Sequence, residues 1–214
     1  MEFVHSETEL TTAATDLALG LVCAGFALQL LASAAHADFK RALWVGAFGL
    51  LAVGSLLGAV AHGLQIAETT RVWLWRPLYL SLGLAVALVG VAAARDWWGE
   101  PAARVALPWA LGVGLFFFVL TQRLGGAFVL FIAYEAVAIL FALVVYVALW
   151  ARGALPGAGW MAAGVALSLA AAAVQVSSLS LRVGVRFDHN GLFHLIQIAG
   201  VALLAAGVRH SLRG

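Results

Sequence analysis

The chain has 214 residues, of which 64% are hydrophobic and 10% are charged, whereas a typical soluble domain has about 25% charged residues. The net charge is +2 at pH 7, and the basic residues stand singly or in pairs, which excludes a nucleic-acid-binding patch. A single cysteine, Cys23, excludes a disulfide framework and a thiolate metal cluster. The composition therefore predicts a protein embedded in a lipid bilayer.

Charged residues, glycine and proline divide the chain into apolar segments, and each is long enough to cross a bilayer, since a membrane helix needs about 20 residues. In chain order, the predicted helices are residues 10–34, 39–66, 72–94, 104–121, 126–151, 157–181 and 190–209. The loops between them are short, so consecutive helices must be antiparallel neighbours. We therefore expect an all-α fold, with residues 1–214 forming a single seven-helix transmembrane domain of up-and-down topology.

The distribution of lysine and arginine predicts the orientation. If the N-terminus is outside, the inner loops carry seven basic residues and the outer loops carry four. Cytoplasmic loops carry the excess of basic residues, so we expect an N-out/C-in topology. The acidic N-terminal tail differs from the basic start of a secretory signal, so the first helix is expected to be retained.

Four ionisable residues, Asp16, His62, Glu135 and His194, interrupt the apolar segments. Such residues cost roughly 2.5–3.5 kcal/mol at the centre of a membrane helix, so they usually face a bundle interior and mark a site. At about 1.5 Å per helical residue, Asp16 is about 9 Å deep, His62 and His194 are about 6 Å deep, and Glu135 is about 14 Å deep. All four fall in the same leaflet, the outer one in the predicted orientation.

Other polar side chains share helical faces with these residues or lie at similar depth. Those expected to contact substrate or to support the site are Gln65 on the second helix, Arg76 and Tyr79 on the third, Gln175 on the sixth, and Asn190 and Gln197 on the seventh.

The two membrane histidines have two interpretations. Neutral imidazole is the commonest metal ligand in proteins, so His62 and His194 could hold a metal, or a haem between their helices. They could instead form hydrogen bonds between helices. His189 is a candidate third ligand, but it is about 140° around a helix from His194, so the helix would have to begin irregularly. Asp188 is expected to cap this helix.

The two membrane acids also have two interpretations. Asp16 and Glu135 fit a general acid or base, or a carboxylate ligand. They could instead be structural, either protonated or paired with Arg76 or Arg123.

A histidine late in the second helix and another in the seventh resemble the pattern of the alkaline ceramidase and adiponectin receptor superfamily. The resemblance implies an intramembrane zinc hydrolase of lipid amides, with a serine four residues before the first histidine, an aspartate on the third helix and a His-x-x-x-His pair on the seventh. This chain departs from the pattern in three places. Gly58 stands at the serine position, with Ser55 three residues before it; the third helix has no acid; and one residue too many separates His189 from His194.

A second resemblance involves residues 187–197, which are similar to a signature of small bacterial seven-helix proteins. That resemblance implies an integral protein of a bacterial inner membrane, and it implies no activity.

The leading hypothesis is a metal-dependent hydrolase of a lipid amide or ester, with zinc on His62, His194 and His189. In this hypothesis Asp16 or Glu135 takes the proton, and Ser55 belongs to the catalytic set. The alternative is a proton-responsive or ligand-responsive transporter or sensor without metal, because intramembrane acids and histidines also form proton relays. In both cases the expected partners are membrane lipids.

Overall fold

The computed structural model describes residues 2–33, 38–124 and 128–213, with side chains of the fifth helix described from Ile132 onward. Within these residues, seven helices are long and apolar enough to cross a membrane. They are α1 (Glu7–Ala32), α2 (Phe39–Gly63), α3 (Glu68–Trp98), α4 (Glu100–Arg123), α5 (Phe128–Ala151), α6 (Ala158–Gln175) and α7 (His189–Ser211). The predicted all-α seven-helix fold is confirmed, and the protein is an integral membrane protein. The predicted loop residues 35–37 and 125, and the helix-end residues 34, 126 and 127, lie outside the described part.

Six helices form a closed ring, and α4 lies outside it. Around the ring, α1 packs on α2, α2 on α3, α3 on α5, α5 on α6, α6 on α7, and α7 on α1. α4 packs mainly on α3 and more lightly on α5. In the most apolar stretch of α4, 11% of the residues are buried, compared with 61% in α3. The ring therefore encloses the bundle interior, while α4 is an outer helix that faces lipid.

Small residues bring α6 and α7 close together, as is usual where membrane helices pack. A Cβ atom at Gly164 would lie 2.6 Å from the Gly200 carbonyl oxygen, and a Cβ at Gly200 would lie 3.0 Å from the Gly164 oxygen. The backbones approach here because neither position carries a side chain. This contact fixes α7 against the ring wall.

α3 and α4 meet at a one-residue corner, where the sequence predicted a longer loop over residues 95–101. α3 continues to Trp98 and α4 begins at Glu100, with only Gly99 between them. Gly99 has a φ of 88°, which glycine adopts without steric cost. Pro101 lies in the first turn of α4, where a missing N–H costs nothing.

A β-hairpin follows α6, where the sequence predicted helix as far as residue 181. α6 ends at Gln175, and strands β1 (Leu181–Val183) and β2 (Val185–Phe187) pair around Gly184, whose φ is 72°. The strands fall almost entirely in residues 182–189, which the sequence predicted as a loop. Thr11 anchors the hairpin on α1, because its hydroxyl donates to the Arg186 carbonyl at 2.8 Å.

A buried charge cluster lies at the side of the bundle where α2 begins and α3 ends. Lys40 Nζ is 2.8 Å from Asp96 Oδ1, and the two side chains are 1% and 0% exposed. Arg95 lies 3.2 Å from Asp96 and 3.8 Å from Asp38. The Tyr146 hydroxyl lies 3.5 Å from Asp96 Oδ2. Lys40 lies at the predicted start of the second helix and was counted with the basic residues of the inner side, but its burial in this ion pair was not predicted.

Candidate functional site

A cavity of about 250 Å³ lies inside the ring. One part of its wall is polar and is formed by Asp16, Ser55, His62, Tyr79, Glu135, Gln175, Asn190, His194 and Gln197. The rest is largely apolar and includes Leu19, Leu51, Trp75, Leu78, Leu82, Val86 and Phe193. The structure thus brings the four predicted ionisable membrane residues to one cavity.

Asp16 and His194 form a buried pair in the polar wall. Asp16 Oδ1 lies 3.1 Å from His194 Nε2, and the two residues are 5% and 7% exposed. The His194 Nδ1 atom lies 3.1 Å from the Thr15 hydroxyl. Both ring nitrogens are therefore engaged by α1, which fixes the imidazole orientation.

The hydrogen bonds of Thr15 indicate where the protons lie. Its hydroxyl has one proton, and its oxygen is 2.9 Å from the carbonyl oxygens of Thr11 and Thr12, so that proton is donated to the backbone. The oxygen then accepts a hydrogen bond from His194 Nδ1–H. In a neutral ring Nε2 is then an acceptor, so a proton on the Asp16 carboxyl group would complete the 3.1 Å contact.

Gly58 makes room for the Asp16 carboxylate. A Cβ atom at position 58 would lie 2.5 Å from Asp16 Oδ2 and 3.0 Å from its Cγ. The resemblance expected serine at this position, and a serine side chain would collide with Asp16. Ser55 is buried and lines the cavity one turn away.

His62 is held by a residue that the sequence interpretation missed. His62 Nδ1 lies 2.7 Å from Glu9 Oε2, and its ring makes an edge contact with Trp75, with 5.5 Å between centroids. Trp75 in turn stacks on Tyr79. Glu9 lies on the same helical face as Thr12 and Asp16, so its spacing could have identified it as a site residue. It was missed because the first helix was predicted to begin only at residue 10.

α7 begins with a regular cap. The Asp188 carboxylate accepts the Gly191 N–H at 3.0 Å and the Thr12 hydroxyl at 3.1 Å. The predicted capping role of Asp188 is confirmed, and α7 starts without the irregularity that His189 would need to join His194.

The three predicted zinc ligands do not assemble. His189 is not among the residues that line the cavity. Within the described part of the chain, no group of three or more His, Cys, Asp or Glu side chains could hold a metal ion. His62 and His194 share the cavity, but each is engaged by a carboxylate of its own.

Several polar side chains of the cavity wall have no protein partner. Among the described residues, Ser55, Glu135, Gln175 and Asn190 make no side-chain hydrogen bond or ion pair, whereas Gln197 donates to the Ser168 hydroxyl at 3.0 Å. Polar groups inside a protein almost always have a partner, which can be an ordered water or a ligand. These four residues are therefore the part of the wall that is available to a bound molecule.

A family model described as a family of unknown function, DUF6962, matches residues 11–213. The chain belongs to the DUF6962 family. No curated protein and no solved structure matches the chain. The resemblance to ceramidases and adiponectin receptors therefore receives no support from known proteins.

Besides His189, two other predicted site residues of this DUF6962 protein lie away from the cavity. The Gln65 side chain donates to the Phe3 carbonyl at 3.1 Å, where the N-terminal residues pair with the end of α2. Arg76 is exposed, with its guanidinium 4.4 Å from the Trp73 ring centroid. Tyr79, Gln175, Asn190 and Gln197 do line the cavity, as expected from helical phase.

Proposed function

We propose that this DUF6962 protein is an intramembrane hydrolase that cleaves an amide or ester bond of a membrane lipid in the cavity. One observation carries the proposal: the polar wall combines the buried Asp16–His194 pair with Glu135, a carboxylate that has no partner among the described residues. An acid–base pair and a separate base in one cavity suit hydrolysis by general acid–base catalysis.

The polar and apolar residues of the lining support an amphiphilic substrate. A polar group of the lipid would meet Asn190 and Gln175, whose amide N–H groups have no partner among the described residues. The apolar wall, which includes Leu78, Leu82 and Val86, would contact hydrocarbon. Such a division favours a molecule with both a polar head and a chain, as membrane lipids have.

The chemistry assigns one role to each group. Glu135 takes a proton from water, and the water oxygen forms a bond to the carbonyl carbon. The amide groups of Asn190 and Gln175 donate to the carbonyl oxygen as negative charge develops there. The bond from carbon to the leaving nitrogen or oxygen then breaks, and that atom receives a proton. The Asp16–His194 pair supplies this proton. The proton that Glu135 took from water then passes to the pair, which returns both groups to their starting state.

A zinc-dependent form of this hydrolase is a second candidate. The 3.1 Å between Asp16 Oδ1 and His194 Nε2 also suits two donors on one ion, because each zinc bond is about 2.0–2.2 Å long. The described residues offer no third ligand in contact with this pair, so no step above uses a metal. Metal analysis tests the idea: near-stoichiometric zinc that is lost in Asp16→Ala and His194→Ala supports it, and metal-free folded protein opposes it.

A proton-responsive transporter or sensor is the alternative outside enzymology. One observation favours it: Glu135 has no partner among the described residues. An intramembrane carboxylate of this kind is typical of proton pathways. Proton flux into vesicles, lost in Glu135→Gln while no lipid is cleaved, would support this alternative over hydrolysis.

Product release from defined lipids tests the hydrolase directly. The full chain is reconstituted in vesicles that contain N-acyl and O-acyl lipids, and the released carboxylic acid is measured by mass spectrometry. We expect release by the wild type and loss in Glu135→Gln and His194→Gln. The matched controls are Glu100→Gln and His210→Gln, because Glu100 pairs with Arg104 at the surface and His210 is exposed at the far end of α7. Equal release by all five proteins, or by none, contradicts the proposal.

The proposal also includes the location of the site. The excess of basic residues in the predicted inner loops supports a cavity in the outer leaflet, and the resemblance of residues 187–197 to bacterial seven-helix proteins favours a bacterial inner membrane.

A further inference from the structure

A second, almost wholly apolar space lies outside the ring, between α3, α4 and α5. It has a volume of about 600 Å³. Small residues form its floor, among them Ala87, Gly90 and Ala94 on α3 and Ala110 on α4. Val137, which is 72% exposed, stands at its rim, so the space is a groove open to the surrounding membrane. We call it the α3–α5 groove.

The α3–α5 groove adjoins the polar cavity. Val86 lines both spaces, so the two spaces adjoin at this residue. On α5 the two spaces are lined by consecutive residues, with Tyr134 in the groove and Glu135 in the cavity. The proposed base therefore lies where the two spaces meet.

The lining of the groove offers only hydrocarbon contacts near this junction. Of the described residues that line it, Tyr134 and Trp98 alone have a polar side-chain atom. The Tyr134 hydroxyl is already used, because it donates to the Gly83 carbonyl at 3.0 Å. Trp98 stacks on Phe141 at the distant end. An occupant of the groove gains apolar contacts and no hydrogen bond at the Tyr134 end.

The length of the groove matches one membrane leaflet. Its lining residues extend from Val86 to Trp98 on α3 and from Ala106 to Phe117 on α4, which at about 1.5 Å per residue corresponds to about 17–18 Å. One leaflet is half of a hydrocarbon core that is about 30 Å thick. The groove runs from the level of Glu135 towards the membrane face at which α3 ends.

We propose that the α3–α5 groove binds the acyl chain of the lipid whose polar group occupies the cavity. The identity of the lipid rests on the proposed function. The position of its acyl chain rests on the α3–α5 groove itself. A polar group in the cavity lies in one leaflet, and a chain that leaves the cavity between α3 and α5, beside Val86, continues into the other leaflet along a groove whose free surface is apolar near Tyr134. The groove then acts as the chain subsite and selects substrates by chain length.

Photolabelling tests the chain subsite. The full chain is reconstituted in vesicles with a trace of an N-acylated amphiphile that carries a diazirine at the end of its acyl chain. After irradiation, we expect adducts on Ala106, Ala110 or Val137 to exceed those on Leu115, a lipid-facing residue of α4 outside the groove. A second probe, with the diazirine beside the amide, is expected to label residues of the polar cavity.

A groove-filling variant gives the decisive comparison. Gly90→Leu places a side chain where a Cβ atom meets nothing within 4 Å, so it fills the groove without a clash. Gly112→Leu is the matched control, since Gly112 is equally open on α4 but does not line the groove. We expect Gly90→Leu to remove the enrichment of adducts in the groove and Gly112→Leu to retain it.

Three outcomes would overturn the inference: adducts spread evenly over lipid-facing positions, enrichment unchanged in Gly90→Leu, or peptides cross-linked between two copies through the groove. Because labelling does not depend on turnover, it is also measured in Glu135→Gln. Enriched labelling without hydrolysis leaves the chain subsite standing and removes only the proposed reaction.

Discussion

Asp16 on α1 and His194 on α7 lie 3.1 Å apart and so connect the first and last helices of the bundle. Hydrogen bonds between membrane helices contribute about 0.6 kcal/mol on average and rarely above about 1.7 kcal/mol. Inserting an aspartate at the centre of a membrane helix costs about 2.5–3.5 kcal/mol. The contact does not offset that cost, so stability alone does not account for a buried aspartate here. This imbalance favours a role in function.

We expect Gly58→Ala to displace Asp16 from His194, because the new Cβ would lie 2.5 Å from Asp16 Oδ2. Overpacking of this kind typically costs about 1–3 kcal/mol of unfolding free energy, so the unfolding temperature in detergent should fall. Gly49→Ala is the control on the same helix, where a Cβ meets nothing within 4 Å. If the clash is the cause, the double variant Asp16→Ala, Gly58→Ala will lose less unfolding free energy than the two single variants lose in total. A strictly additive result would refute it.

We expect Thr15→Val to leave the His194 Nδ1–H group buried without an acceptor. An unsatisfied buried donor costs about 1–3 kcal/mol, and an imidazole free to rotate should also lose hydrolytic activity. Thr121→Val is the control, because Thr121 is buried but its hydroxyl donates only to its own helix, at the Phe117 carbonyl. Unfolding temperature and product release are measured for both. Equal behaviour of the two variants would show that Thr15 does not fix the proton on His194.

Asp96→Asn is expected to destabilise the protein without altering the chemistry of the cavity. It leaves the buried Lys40 charge without its counter-ion, and breaking a buried pair costs about 3–5 kcal/mol. Glu100→Gln removes an exposed ion pair with Arg104 and should cost less than about 1 kcal/mol. Unfolding by denaturant in detergent compares them. Similar losses of stability would mean that the Lys40–Asp96 pair is not a structural anchor.

Membrane-impermeant maleimide labelling tests the predicted N-out/C-in orientation. R182C, in the hairpin after α6, should react in intact cells, and A154C, in the loop before α6, should react only after permeabilisation. Cys23 gives no background, because it is fully buried. The reverse pattern of labelling would place the cavity in the inner leaflet.

Hydropathy and helical phase predicted the helices of the fold and most of the polar residues that line the cavity. The seven helices followed from apolar length, and the meeting of Asp16, His62, Glu135 and His194 followed from the alternation of helix direction. Both depend on local properties of the chain, namely span length and depth, which a sequence displays directly.

Pairing between distant residues was not predictable in the same way. The contact of Glu9 with His62 depends on how α1 and α2 are rotated against each other, and hydropathy does not encode this rotation. The hairpin after α6 falls almost entirely in a predicted loop, because strands of three residues are too short to show the alternation of a strand. The ion pair of Lys40 was not predicted because its partner Asp96 is far away in sequence.

The most direct test of the proposed reaction is to follow the oxygen of water. Reconstituted protein is incubated with N-acyl and O-acyl lipids in water enriched in oxygen-18, and the released carboxylic acid is examined by mass spectrometry. We expect the wild type to add one oxygen-18 atom to each acid molecule at release, and Glu135→Gln to release almost none. Acid release at the same rate in Glu135→Gln, or no labelled acid from the wild type with any of these lipids, would contradict it.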